Sequence, residues 1–259
     1  MNDLNPVIFL GAGPGDPELI TVKGQKALAR ADLVLYAGSL VPPAVLTWVR
    51  EGAELVDTAP LTLEDIVSRL IEGHRAGRRV VRLHSGDPGL YSALQEQLEL
   101  LEKEGVPFQV IPGVTAAAAA AAVLRQELTL PEVSQTVIYT RASGRTPVPP
   151  RENLASLAAV GATMIIYLSV HLVEQVAGEL ASAYGPEAPV VVAYRVSWPE
   201  EKIIRGTLRD IAGRVREAGV TRQALIMVGP ALAAWEKRLA ARSRLYDPGF
   251  SHGFRNAAD

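Results

Sequence analysis

Cysteine is absent from all 259 residues of this chain, which removes disulfides, thiolate metal sites and cysteine nucleophiles together. Such a chain suits a reducing compartment, and a cytoplasmic location is expected. Positive charge is not in excess either: 26 Lys and Arg stand against 28 Asp and Glu, a formal net charge of −2. Surfaces that track a nucleic-acid backbone carry a clear basic excess, so no nucleic-acid partner is expected. Residues 1–10, MNDLNPVIFL, have neither a basic start nor a long apolar run, and no signal peptide is read there. The longest apolar stretch, residues 114–124, is eleven residues of mostly alanine. It is too short to span a bilayer and too weakly hydrophobic to enter one, so a soluble protein with no membrane partner is expected.

What is present is an ordinary globular composition, 48% hydrophobic and 21% charged. At this length about three quarters of the unfolded surface can be buried without a staple. The first half alternates β-rich runs with helical segments. Strands are read at 7–10, 32–36, 54–57, 79–83 and 108–111, and helices at 23–30, 43–50, 63–75, 92–103 and 115–124. The clearest helix has Leu63, Ile66, Val67, Leu70 and Ile71 at helical spacing. This alternation implies a mainly parallel sheet covered on both faces.

Between residues 126 and 152 the pattern loosens, and TRASGRTPVPP at 140–150 reads as a loop. Strands then recur at 163–168 and 190–195, a hairpin partner at 202–206 and a last strand at 224–228, with helices at 170–184 and 208–217. The fold class is α/β, in two α/β domains at 1–120 and 121–242, with an aperiodic tail at 243–259.

The most informative segments are the turns after the first, fourth and fifth strands: GAGPGDP (11–17), HSGDPGLY (84–91) and PGVTAAAAAAA (112–122). In a parallel sheet these three turns leave from one carboxyl edge, outside which open α/β sheets bind ligands. Gly-Asp-Pro occurs twice, and Asp as a helix N-cap with Pro at the first helical position explains either triplet. A capping carboxylate at that edge also faces any ligand lying across it. The alanine run is equally a tightly packed helix or a smooth surface for a flat ligand.

Two nucleotide motifs fail. A dinucleotide loop needs Gly-x-Gly-x-x-Gly; Gly11 and Gly13 fit, but Asp16 stands last, and Asp32 sits at the start of the second strand rather than its end. The phosphate loop fails at Asp16 as well. Crowded carboxylates and glycines suit a cationic or zwitterionic ligand, of which a sulfonium is one.

Residues 11–24, GAGPGDPELITVKG, with SGDPGLY (85–91) and PGVTA (112–116), resemble the signatures of the tetrapyrrole (corrin/porphyrin) methylases, and the resemblance covers nearly the whole chain. YAGSLV (36–41), TAPLTLEDI (58–66), ELTLPEVSQTVIYTR (127–141) and RLYDPGFSHGFR (244–255) resemble the branch that methylates precorrin-4 at C-11 in cobalamin biosynthesis. The resemblance implies two α/β domains with S-adenosyl-L-methionine in the cleft between them, a tetrapyrrole substrate, S-adenosyl-L-homocysteine as product and a homodimer. It implies no metal site and leaves open whether the ring already holds cobalt.

Carried over by position, the cofactor contacts would be Pro14, Ser85, Gly86, Asp87, Leu90, Thr115, Ala116, Leu168, Ala193, Tyr194 and Ala224, with Asp87 the leading ligand. Leu168 stands where relatives often carry Met, and either apolar side chain packs on adenosine. Gly13, Gly15, Tyr91, Arg141 and Arg195 would meet substrate, and Asp16 would steer it or accept a proton. His84 and Tyr91 flank the same turn, where such residues are more often structural. Arg145 and Arg205 join Arg141 and Arg195 as candidate clamps on substrate carboxylates, and a solvated loop face explains all four equally well. Two rivals remain: a methylase of RNA or of a modified protein histidine, and a tetrapyrrole carrier that keeps the fold without turnover.

Overall fold

The computed structural model describes residues 5–233 and 243–256. The expected domain end at 242 and tail residues 257–259 lie outside that range. The chain divides into two compact units. Among the described residues, unit 1 comprises the chain up to 119 with 195–201, and unit 2 comprises 120–194 with the residues from 202 onward. The seven-residue segment 195–201 sits inside the stretch expected as the second domain, yet its contacts are with unit 1.

Unit 1 carries β1 (Val7–Gly11), α1 (Val22–Leu28), β2 (Leu33–Tyr36), α2 (Pro43–Leu46), β3 (Glu54–Asp57), α3 (Leu63–Arg75), β4 (Val80–His84), α4 (Leu94–Lys103) and β5 (Phe108–Ile111). The sheet order is β3-β2-β4-β1-β5 and every pairing is parallel. Central strands of such a sheet are covered on both faces and read as continuous apolar runs. Alternation along them divides two cores: Val7, Phe9, Leu33, Leu35 and Val80 pack with α3 and α4, while Leu10, Val34, Val81 and Leu83 pack with Leu28 and Val45.

Helix α3 shows how local sequence sets an element. Thr62 and Asp65 form a reciprocal capping box that satisfies two orphan N–H groups. Ile66, Val67 and Leu70 then line its buried stripe. Truncating Leu70, which is fully buried, to Ala would cost about 2–5 kcal/mol.

Helix α5 (Ala116–Leu124) contains the division between units. Unit 2 continues with β6 (Val137–Arg141), α6 (Leu154–Ala158), β7 (Thr163–Tyr167), α7 (Val173–Tyr184), β8 (Pro189–Tyr194), β9 (Lys202–Thr207), α8 (Ile211–Glu217) and β10 (Ala224–Val228). Its order is β6-β7-β10-β8-β9. Only β6–β7 is parallel; β7–β10, β10–β8 and β8–β9 are antiparallel, so parallel pairing is confined to unit 1 apart from this one pair. β6 and α6 fall in or beside the stretch read as loosened, because VIYTR and LASLA are too short for their periodicity to stand out. The tail holds a 3-10 turn at Arg244–Tyr246 and a bridge between His252 and Arg255. Among the described residues no helix is long and apolar enough to cross a membrane.

Candidate active site

The turns after β1, β4 and β5 do leave from one edge, and they interlock through backbone. Ala12 N–H donates to the His84 carbonyl at 2.7 Å, Gly86 N–H to Gly13 O at 2.8 Å and Gly13 N–H to Gly86 O at 3.2 Å. A Cβ on Gly11 would stand 2.6 Å from Gly113 Cα and from the Gly86 oxygen, and one on Gly113 would overlap that same oxygen. These glycines let three chains approach more closely than any side chain permits.

Asp87 ties the junction together. Its Oδ1 accepts the Gly89 N–H and its Oδ2 the Gly113 N–H, both at 2.8 Å. It caps no helix, since α4 begins only at Leu94, after Ala93 in the left-handed region (φ 52°). The expected helix start at Ser92 is displaced because Tyr91 and Ala93, on either side of it, both adopt left-handed backbone. Asp16 does cap: its Oδ1 accepts Glu18 N–H at 2.8 Å at the head of a 3-10 turn whose first residue is Pro17. Ser85, Gly86, Leu90, Thr115 and Ala116 are half-buried around the junction, Pro14 is buried, and Tyr91 is exposed at φ 53°. Thr115 accepts the Ala118 N–H at the start of α5.

Beneath the junction lies a buried polar pair. Arg82 is 7% exposed, and among the described residues only neutral acceptors answer it: Gln97 Oε1 at 3.2 Å and the Leu35 and Leu83 carbonyls at 3.3 and 3.5 Å. Burial pushes its pKa down to about 10. His84, 5% exposed and stacked on Phe9, is pushed down to about 3 by burial and then by the Arg82 charge. Its ring is therefore neutral at physiological pH, and its Nε2 has no hydrogen-bond partner among the described residues.

Asp32 lies at the opposite, amino edge. It pairs with Arg79 at 2.9 Å and Arg50 at 2.5 Å, and the Arg79 hydrogen bonds hold its carboxyl well below the usual range. Its work is to fix the start of β2 against β4, far from where a ribose partner would have to stand.

Segment 195–201 grips the first turn. Trp198 Nε1–H donates to the Pro14 carbonyl at 2.8 Å, and Asp16 N–H donates to Ser197 Oγ at 3.0 Å. A Cβ on Gly15 would run into the indole. Arg195 lies over that indole, 5.0 Å from its centroid, and pairs with Glu200 at 3.6 Å. Arg195 (φ 44°) and Ser197 (φ 65°) both adopt left-handed backbone, which costs on the order of 1–2 kcal/mol each for side-chain-bearing residues. Sequence reasoning does not single out Ser197, Trp198 or Arg82; a Trp in the Ser-Trp-Pro-Glu-Glu turn between two strands is the only signal that could have pointed there.

Unit 2 has an edge of its own. Register sets Arg141 opposite Tyr167, Ala193 opposite Leu225 and Tyr194 opposite Ala224, with Leu168 directly after β7. Leu168 is 63% exposed at φ 56°, while Ala193 and Ala224 are buried. Arg141 is engaged: its guanidinium donates to the Thr146 and Pro147 carbonyls at 2.9 and 2.7 Å, holding its own loop. Arg145 and Arg205 are exposed.

A wholly parallel sheet that gathers three glycine-bearing turns at its carboxyl edge defines an α/β ligand-binding protein. The chain belongs to the tetrapyrrole (corrin/porphyrin) methylases, whose family model matches residues 6–212. It is 51% identical over 228 residues to a precorrin-4 C(11)-methyltransferase of Pseudomonas aeruginosa, covering 88% of this chain and 91% of that one. The solved cobalt precorrin-4 methyltransferase superposes with a TM-score of 0.86 at 47% identity, covering 88% of this chain and 95% of that one. A uroporphyrin-III C-methyl transferase from Thermus thermophilus, solved with S-adenyl homocysteine, gives 0.76 at 30% identity, covering 89% of this chain and 100% of that one.

Proposed function

We propose that this chain methylates precorrin-4 at C-11 in cobalamin biosynthesis, using S-adenosylmethionine. The observation that carries the reading is the glycine junction of three turns, combined with similarity over most of the chain to a methyltransferase named for that position. The cobalt form of the same ring is the second reading, favoured by the name of the solved relative.

The residues present fit the methyl donor. Leu168 is an exposed apolar side chain just past β7, suited to adenine, and Ser85 is a half-buried hydroxyl residue in the turn after β4. Bound S-adenosylmethionine supplies an electrophilic methyl on a sulfonium. Pro14, Ser85, Gly86, Asp87, Leu90, Thr115, Ala116, Leu168, Ala193, Tyr194 and Ala224 are proposed as donor contacts on the family likeness. Asp87 acts mainly by fixing the junction, because each of its oxygens already accepts a backbone N–H.

Gly13 and Gly15 set the backbone that carries Asp16 to the substrate. Tyr91, Arg141 and Arg195 are the proposed substrate contacts, Tyr91 being the most open of them. Asp16 steers the ring or takes the proton it releases.

Positioning two bound reactants can supply about 7–11 kcal/mol, whereas general base help gives about 3–5 kcal/mol. Orientation by the junction therefore outweighs proton transfer by Asp16. A homodimer is proposed on the family likeness alone. The deciding experiment is incubation of the purified protein with S-adenosylmethionine and either precorrin-4 or its cobalt form. Mass spectrometry and NMR would locate the new methyl; a methyl anywhere but C-11 would contradict the proposal. Asp16→Asn should slow methylation more than it weakens donor binding, and equal losses would remove Asp16 from its role.

A further inference from the structure

We propose that Trp198 and Ser197 are positioning residues for Asp16, so that segment 195–201 sets the rate of methyl transfer without meeting either reactant through those two side chains. The inference rests on Asp16 being the group that meets substrate.

The main chain leading into Asp16 is held by this segment. The indole N–H takes the Pro14 carbonyl, the indole face fills the space where a residue-15 side chain would stand, and the Ser197 hydroxyl takes the Asp16 amide. Asp16 then spends Oδ1 on the Glu18 amide, which fixes its side-chain torsion and leaves Oδ2 as the oxygen to act. The holder is itself held: Arg195 covers the indole, and Glu201 accepts the Ser197 N–H at 2.7 Å. Glycine at 15 is required by this arrangement, because the indole leaves no room for a Cβ. An indole N–H and a hydroxyl are neutral donors and acceptors, so they fix the place of the carboxylate without moving its charge.

The test uses the full-length enzyme. Trp198→Phe keeps a ring over Gly15 and removes the N–H; Ser197→Ala removes the hydroxyl. Each should lower kcat for precorrin-4 about tenfold, the scale of a sub-ångström misplacement. Donor affinity by calorimetry should stay within about twofold in Ser197→Ala and fall by no more than about threefold in Trp198→Phe, which also frees the Pro14 carbonyl. In an Asp16→Asn background Trp198→Phe should add less than about twofold, because the group it serves is already gone. Hydrogen exchange in residues 11–20 should quicken about tenfold in both variants, a readout that needs no turnover. Fully multiplicative losses in the double variant, or unchanged exchange, would overturn the inference. If the unaltered enzyme methylates no precorrin, the functional proposal fails, and the exchange measurement alone still decides whether the segment holds Asp16.

Discussion

The carboxyl edge of unit 1 and the edge of unit 2 that bears Leu168 are built by opposite means. Unit 1 uses backbone: glycines 11, 86 and 113 bring three chains into contact, and Asp87 stitches them. Unit 2 uses side chains set out by register, with the ends of β6, β7 and β8 beside the start of β10. A junction made of backbone has no slack, since a main-chain atom cannot rotate out of the way. A side-chain edge tolerates exchange of one apolar group for another. Damage should therefore spread widely in unit 1 and stay local in unit 2.

That contrast is most easily broken at Gly113. Gly113→Ala puts a methyl into the Gly86 carbonyl, so donor binding should fall more than about a hundredfold, with destabilisation of about 1–3 kcal/mol or more from overpacking. Calorimetry and denaturant melts check both, and a variant that binds normally would show that the turns can part.

Asp87→Ala removes the acceptor of two backbone amides. Donor affinity should drop about tenfold, or about 1.4 kcal/mol, with faster hydrogen exchange at Gly89 and Gly113. In unit 2, Leu168→Met should change donor affinity less than about twofold, and Leu168→Asp should weaken it about fivefold with the melting point unmoved, because the side chain is exposed. A large loss of stability in Leu168→Asp would mean that the second edge is as rigid as the first.

The effect that is smallest at neutral pH, and felt only in acid, concerns His84. Its folded pKa, about 3, lies below the ordinary 6.5, so the unfolded chain binds the extra proton first. Stability should rise with pH between about 3 and about 6.5, and be lost as pH falls through that window. His84→Gln should flatten that part of the melting-point profile, while an unchanged slope would assign it to other groups.

Part of this architecture is legible in the chain. α3 keeps its expected bounds because apolar spacing and a capping Thr62 act within a few residues. β3, β5 and β10 are likewise local β-rich runs bounded by turns. The three turns stand out because the positions that demand glycine, aspartate and proline show in the letters. Asp87 reads as a helix cap in the sequence and is none in the structure, because an Asx turn and a cap share one signature. Ala224 carries no motif because only its pairing with Tyr194 brings it to an edge.

By itself the sequence determined the α/β class, the family and the three turns, since each depends on spacing along the chain or on residues with special backbone needs. Only the tertiary structure decided that β7, β10, β8 and β9 run antiparallel, that residues 195–201 belong with unit 1, and that Trp198 lies on Gly15. Strand direction and such long-range contacts join residues far apart in sequence, and no local propensity encodes which distant partner a side chain will meet.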